Sequence, residues 1–192
     1  MTRHLAQPYG EAVSILVAYA SKHGSTQGIA ERVAKTLTSA GHEAEASPVE
    51  AVGDLSGYEA FVVGSAIYLT HWRKEATRFV RHNRALLGSK PVWMFSSGPL
   101  GTEATDAKGR ELIVTAEPKE IAEFRKTIGP RDHRVFFGAL DPGKLGLPIR
   151  VMRKLPPART HLPEGDFRDW SDIDNWANGI AQHLPGTSAT VE

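Results

Sequence analysis

The chain has 192 residues, 41% of them hydrophobic, which suits one domain with a full core and is short for two. With 23 basic against 22 acidic residues the formal charge is +1, so no global field marks nucleic acid as a partner. The lack of cysteine removes disulfides, thiolate metal sites, cysteine nucleophiles and dithiol redox chemistry; no metal site is expected, and redox work would need a bound cofactor.

Residues 1–12 read as a loose tail without the apolar stretch of a signal peptide. No later run approaches the ~18 apolar residues of a membrane span, so a cytoplasmic location is the default expectation. Residues 13–20, VSILVAYA, predict a buried strand. It runs into SKHGSTQG and then a helix over 26–40, with Ile29, Val33 and Leu37 on one face and Gly41 as its stop. A loop of hydroxyl residues and glycine ahead of a helix start, where backbone N–H groups are unpaired, is the pattern of a phosphate cradle. There is no GxxxxGK followed by Ser or Thr and no GxGxxG, so neither ATP nor a dinucleotide is favoured. The competing reading is that Ser25 and Thr26 cap the helix and Gly24 makes a turn.

Further strands are predicted at 43–47, 61–65, 92–95 and 135–140, and helices at 72–87 and 169–184. Two longer excursions interrupt the alternation, near 101–133, with a helical candidate at 118–127, and near 142–165; residues 185–192 form a second tail. Strand–helix alternation predicts a doubly wound α/β fold, with ligands at the carboxyl ends of the strands. The segments 21–26, 66–72 and 96–101 all follow strands and should meet there. His71, beside Arg73 and Lys74, reads as part of a solvated helix start, and Trp93 as a core residue.

YASKHGSTQGIAERVAKTL, GYEAFVVGSAIYLTHW and PVWMFSSGPLG together resemble, in order and spacing, the three FMN-binding loops of the flavodoxin-like family. The resemblance covers residues 13–184 and implies a five-stranded parallel sheet in the order 2-1-3-4-5 with helices on both faces. It implies FMN as cofactor, its phosphate held by Ser21, His23, Gly24, Ser25 and Thr26. Ser65, Ala66, Ile67 and Tyr68 would lie along one side of the flavin ring, and Ser96, Ser97, Gly98, Pro99 and Leu100 along the other. Tyr68 and Trp72 are candidates for stacking on the ring, Trp72 having a core role as its alternative. No catalytic residue is assigned.

VFFGALDPGKLGLPIRVMRK and DWSDIDNWANGIA resemble the menaquinone-dependent protoporphyrinogen dehydrogenase group within that family. AIYLTHW departs from that group's Ile-Arg-Tyr-Gly-His pattern: an arginine is missing and a threonine replaces the glycine. The resemblance implies an oxidoreductase with a small-molecule or quinone redox partner. The alternatives are a flavodoxin-type electron carrier and a cofactor-free binding module. Lys144, Arg150, Arg153, Lys154 and Arg159 stand among apolar residues in 143–159, which suits either peripheral contact with an anionic membrane or a solvated loop packed on the domain.

Overall fold

The computed structural model describes residues 12–100, 116–144 and 163–185. The apolar run after Val13 forms β1 (Ser14–Ala20). Its Ile15, Val17 and Tyr19 enter one core and Leu16, Ala18 and Ala20 another, the period-two division a strand imposes. A strand apolar on both faces belongs inside a parallel sheet. Accordingly β1 lies between β2 (Glu43–Pro48) and β3 (Ala60–Tyr68), parallel to both. A two-residue β4 (His71–Trp72) folds back antiparallel on the end of β3. β5 (Val92–Ser97) then pairs with β3, and β6 (Asp132–Phe136) with β5. The order β2-β1-β3-β5-β6 is the expected 2-1-3-4-5 arrangement of five long strands, with β4 added to β3.

Helix α1 (Ser25–Ser39) covers one face of the sheet with α5 (Trp170–Gln182), the last helix of the described chain. On the other face Phe79 and Val80 of α2 (Lys74–His82), Leu87 of α3 (Arg84–Ser89) and Ile121 and Phe124 of α4 (Glu120–Thr127) pack on Phe61, Val63 and Met94. Phe61, Phe95 and Phe124 are fully buried, each contributing about 2–3 kcal/mol of transfer free energy. Phe95 lies so close over Gly64 that a Cβ there would meet its ring at 2.0 Å. Trp93 is a core residue, as its place in the strand predicts.

Three local expectations are corrected. The helix expected over 72–87 starts two residues later, because Trp72 is in β4 and Arg73 is extended. It then breaks at Asn83, whose side-chain amide and backbone N–H both donate to the Phe79 carbonyl, competing with continuation of the helix. The strand expected over 135–140 ends at Phe136, since Gly138 N–H is drawn to the Pro99 carbonyl at 2.8 Å. The chain resumes as β7 (Ala139–Leu140), antiparallel to β8 (Gly165–Asp166). His71 belongs to the hairpin, and its Nδ1 is 2.8 Å from Glu120 Oε1. Most of 143–159, and residues 101–115, lie outside the described residues.

Candidate functional site

The sheet register brings the three predicted loops to one edge. Ala20 stands beside Ser65, Ser65 beside Ser96, and Ala66 beside Ser97. The chain leaves β1 toward β2 on one side and returns as β3 on the other, so the crevice over β1 and β3 is a topological switch point, where doubly wound sheets hold ligands.

The first loop is shaped for an anion. Gly24 N–H donates to Ser21 Oγ at 3.1 Å, closing a turn whose φ of 87° at Gly24 suits glycine. Gly24 is the N-cap of α1, no side chain caps the helix, and the first turn carries no acid. The hydroxyls therefore do not cap α1. Ser25 Oγ accepts from Ala139 N–H at 2.8 Å and lies 3.4 Å from Ser97 Oγ, tying the loop to β7 and to the end of β5. Thr26 Oγ1 is buried with no hydrogen-bond partner. A buried hydroxyl without a partner costs about 1–3 kcal/mol, and an oxyanion at the helix start is one group that removes the cost.

The second and third loops meet across a narrow gap: a Cβ on Gly98 would come within 2.8 Å of Ile67 Cβ. Their serine hydroxyls are engaged within the protein. Ser65 Oγ accepts from Arg73 N–H and donates to the Ala66 carbonyl, both at 3.0 Å. Ser96 Oγ accepts from Trp72 Nε1 at 2.7 Å and lies 2.8 Å from His133 Nε2. His133 Nδ1 faces Glu117 Oε1 at 3.3 Å, and because a carboxylate only accepts, the proton of the neutral imidazole sits on Nδ1 and Nε2 accepts from the Ser96 hydroxyl. Burial holds the His133 imidazole below its usual pKa in spite of Glu117, which keeps the neutral form in place. Ser96, His133 and Glu117 follow the order of a hydrolytic triad. Ser96, however, is fully buried and engaged by Trp72, so no substrate reaches it. Ser65 and Ser96, both fully buried, thus lie beneath the ligand edge and support it.

Trp72 is 3% exposed and packs on Phe124 at 5.4 Å between ring centroids, which places it in the core and not over the edge. Tyr68 remains 43% exposed beside the second loop, its hydroxyl pKa raised by burial against the opposing charge of Arg73. One residue absent from the sequence reading joins the site. Arg168 Nη1 is 3.3 Å from the Ser25 carbonyl, its guanidinium lies 4.3 Å from the Trp170 ring centroid, and it pairs with Asp166 at 2.6 Å. It lines a cleft of about 590 Å³ with His23, Gly24, Ser25 and Gly28. The string FRDW carries no sign of this, because the proximity arises only when β7 and β8 bring residues 164–168 against the first loop.

Residues 16–160 match the family model for the flavodoxin domain. No curated protein matches the sequence. Among solved structures, oxidised flavodoxin 2 from Bacillus cereus has a TM-score of 0.55 at 20% identity, covering 89% of this chain and 99% of its own. A flavodoxin from the domain Archaea has 0.54 at 16%, covering 88% and 97%. Rubredoxin oxygen:oxidoreductase from Desulfovibrio gigas has 0.55 at 15%, covering 88% of this chain but 35% of its own, so this chain spans about a third of that protein. At such identities structural likeness speaks for the fold alone, whereas the family model spans most of the sequence: the chain belongs to the flavodoxin domain family.

Proposed function

We propose that the three-loop edge binds FMN and that the protein is an FMN-dependent oxidoreductase, passing electrons between an organic donor and an acceptor such as a quinone. One observation carries the reading: the uncapped, acid-free start of α1 behind a left-handed Gly24, with the Thr26 hydroxyl buried and unpartnered, in a flavodoxin domain. Ser21, His23, Gly24, Ser25 and Thr26 would hold the phosphate, with Arg168 as a nearby cation. Ala66, Ile67 and Tyr68 would flank the ring on one side and Ser97, Gly98, Pro99 and Leu100 on the other, with the buried Ser65 and Ser96 supporting the two loops from beneath. Bound FMN supplies redox chemistry that a cysteine-free chain lacks. The chain's own residues bind and orient it, and Arg73 and Lys74 near the second loop favour negative charge on the ligand.

The narrower form is a protoporphyrinogen dehydrogenase-like activity, with residues 143–159 giving peripheral contact with an anionic membrane; nearly all of that segment lies outside the described residues. Among the described residues no helix is long and apolar enough to cross a membrane. A carrier role without a substrate of its own is favoured by one observation, the full exposure of Leu69 beside the second loop.

The visible absorption spectrum of the purified protein, before and after addition of FMN and with the released cofactor identified, tests the reading. Flavin bands with stoichiometric FMN are the expected result. A protein that stays colourless and takes up no FMN overturns it in favour of a binding module of the same fold. With FMN loaded, absence of turnover with protoporphyrinogen IX and a quinone removes the narrower form.

A further inference from the structure

We infer that the β3–β4 hairpin and the start of α2 form a docking face for an acidic redox protein, with Leu69 as the apolar anchor. Among the described residues only two large hydrophobic side chains are exposed, Tyr68 at 43% and Leu69 at 94%, and they are consecutive. The hairpin pairs Tyr68 with His71, leaving Leu69 and Thr70 as its two-residue turn, with φ of 49° and 64°. Two left-handed residues in succession make the turn that Asn-Gly ordinarily fills, and β-branched threonine adopts that geometry only under strain. Strain held beside a ligand edge, with a leucine at the summit, presents the leucine outward in a fixed place.

The surroundings of that tip are cationic. The hairpin and α2 enclose a groove of about 970 Å³ lined by Arg73, Lys74, Arg78 and Arg81 against Glu75 and Glu120. Arg73 is paired with Glu75 at 3.1 Å and Arg81 with Glu123 at 2.6 Å. No carboxylate among the described residues pairs with Lys74 or Arg78. Lys74 is the first residue of α2, the end at which the helix dipole disfavours a cation, and no side chain caps that end. An apolar anchor beside two unpaired cations is complementary to a protein surface with an apolar socket flanked by carboxylates. A single leucine is too little apolar area to hold a membrane surface, and two unpaired cations give too few phosphate contacts to hold nucleic acid.

The redox character of the partner rests on the FMN reading, since the hairpin continues directly from the second loop. In the proposed reaction the organic donor gives up two electrons and two protons; two successive dockings of a one-electron acceptor would carry the electrons away one at a time, the protons passing to water. Tyr68 is assigned to the flavin and Leu69 and Arg78 to the partner; Lys74 faces the partner while its charge also favours the anionic ligand, and the flavin-free test reads the docking share alone.

The test begins on the flavin-free protein, so that its outcome is independent of FMN. Titration of the 15N-labelled protein with an acidic plant-type [2Fe–2S] ferredoxin at low salt should perturb the amides around Leu69, Lys74 and Arg78, and the effect should vanish by about 0.5 M NaCl. Basic cytochrome c should leave this face unperturbed. Lys74→Glu with Arg78→Glu should weaken binding about tenfold or more, as should Leu69→Asp, a change at a fully exposed position that leaves the fold intact. Perturbation centred on another face, none at all, or an affinity untouched by these variants overturns the proposal. A protein that docks ferredoxin but takes up no FMN sinks the cofactor reading and leaves the surface standing; an FMN-loaded protein that ignores ferredoxin does the reverse.

Discussion

Helices α1 and α5 lie side by side on one face of the sheet, yet they begin in opposite ways. Asp169 caps α5, its carboxylate accepting from the N–H groups of Ser171 and Asp172 at 2.9 and 3.0 Å, and Asp172 adds a second negative charge to the first turn. The start of α1 has a left-handed glycine, no side-chain cap and no acid. The first arrangement satisfies the helix dipole from within the chain and the second leaves it for something else. The two helices are otherwise tightly coupled: Arg32 reaches both carboxylate oxygens of Asp174 at 2.7 and 2.5 Å, and Thr36 donates to the same group at 2.9 Å. The contrast therefore separates positions that hold the fold from the start of α1, where the proposed ligand would sit.

Substitution at the open helix start should have the largest effect. Gly24→Val places a β-branched residue at a φ of 87° and brings side-chain atoms into the loop. It should cost about 1–2 kcal/mol of stability and lower FMN affinity at least about a hundredfold by blocking close approach of the phosphate; denaturant melts and flavin titration read the two separately. Thr26→Val sharpens the distinction. The buried hydroxyl has no partner, so its replacement by a methyl should leave the stability of the flavin-free protein unchanged or slightly raised, while FMN binds about tenfold more weakly. A loss of stability with unaltered FMN affinity would place Thr26 among the structural positions.

The closed helix start should respond the other way. Asp169→Ala should remove about 1 kcal/mol of stability by exposing the N-terminal amides of α5, with FMN titration unchanged. The smallest effect belongs to the link between the helices. Its hydrogen bond to Arg32 holds the Asp174 carboxyl below the usual 3.8, so the pair stabilises the fold above that value, and its contribution is lost as pH falls through the lowered folded pKa. The melting-temperature difference between wild type and Asp174→Asn should be present at neutral pH and close in that acidic window; partial exposure of both side chains keeps it small.

Much of the site was legible before folding because its parts are local. The strand, the loop SKHGST and the following helix are contiguous, and their order with the second and third loops carries the family resemblance. What the local pattern misread were residues whose roles depend on distant partners. Ser96 and Trp72, 24 residues apart, bind each other in the core, and Ser96 continues to His133 and Glu117; no periodicity joins those four. The helix pattern likewise extended through Trp72 and across Asn83, because apolar spacing does not register a hairpin or a side chain that competes for a carbonyl.

The sequence by itself determined the central strands buried on both faces, the parallel sheet that alternation with helices implies, and the hydroxyl- and glycine-rich loop ahead of the first helix. Hydrophobic period and turn chemistry are properties of neighbouring residues, and they act before any tertiary contact forms. Only the tertiary structure decided which hydroxyls stay free for a ligand and which are bound within the core, where Arg168 sits, and that the segment after β3 folds back into a strained hairpin with Leu69 at its tip. Those outcomes follow from sheet register and from contacts between residues far apart in the chain, and such contacts exist only once the strands lie side by side.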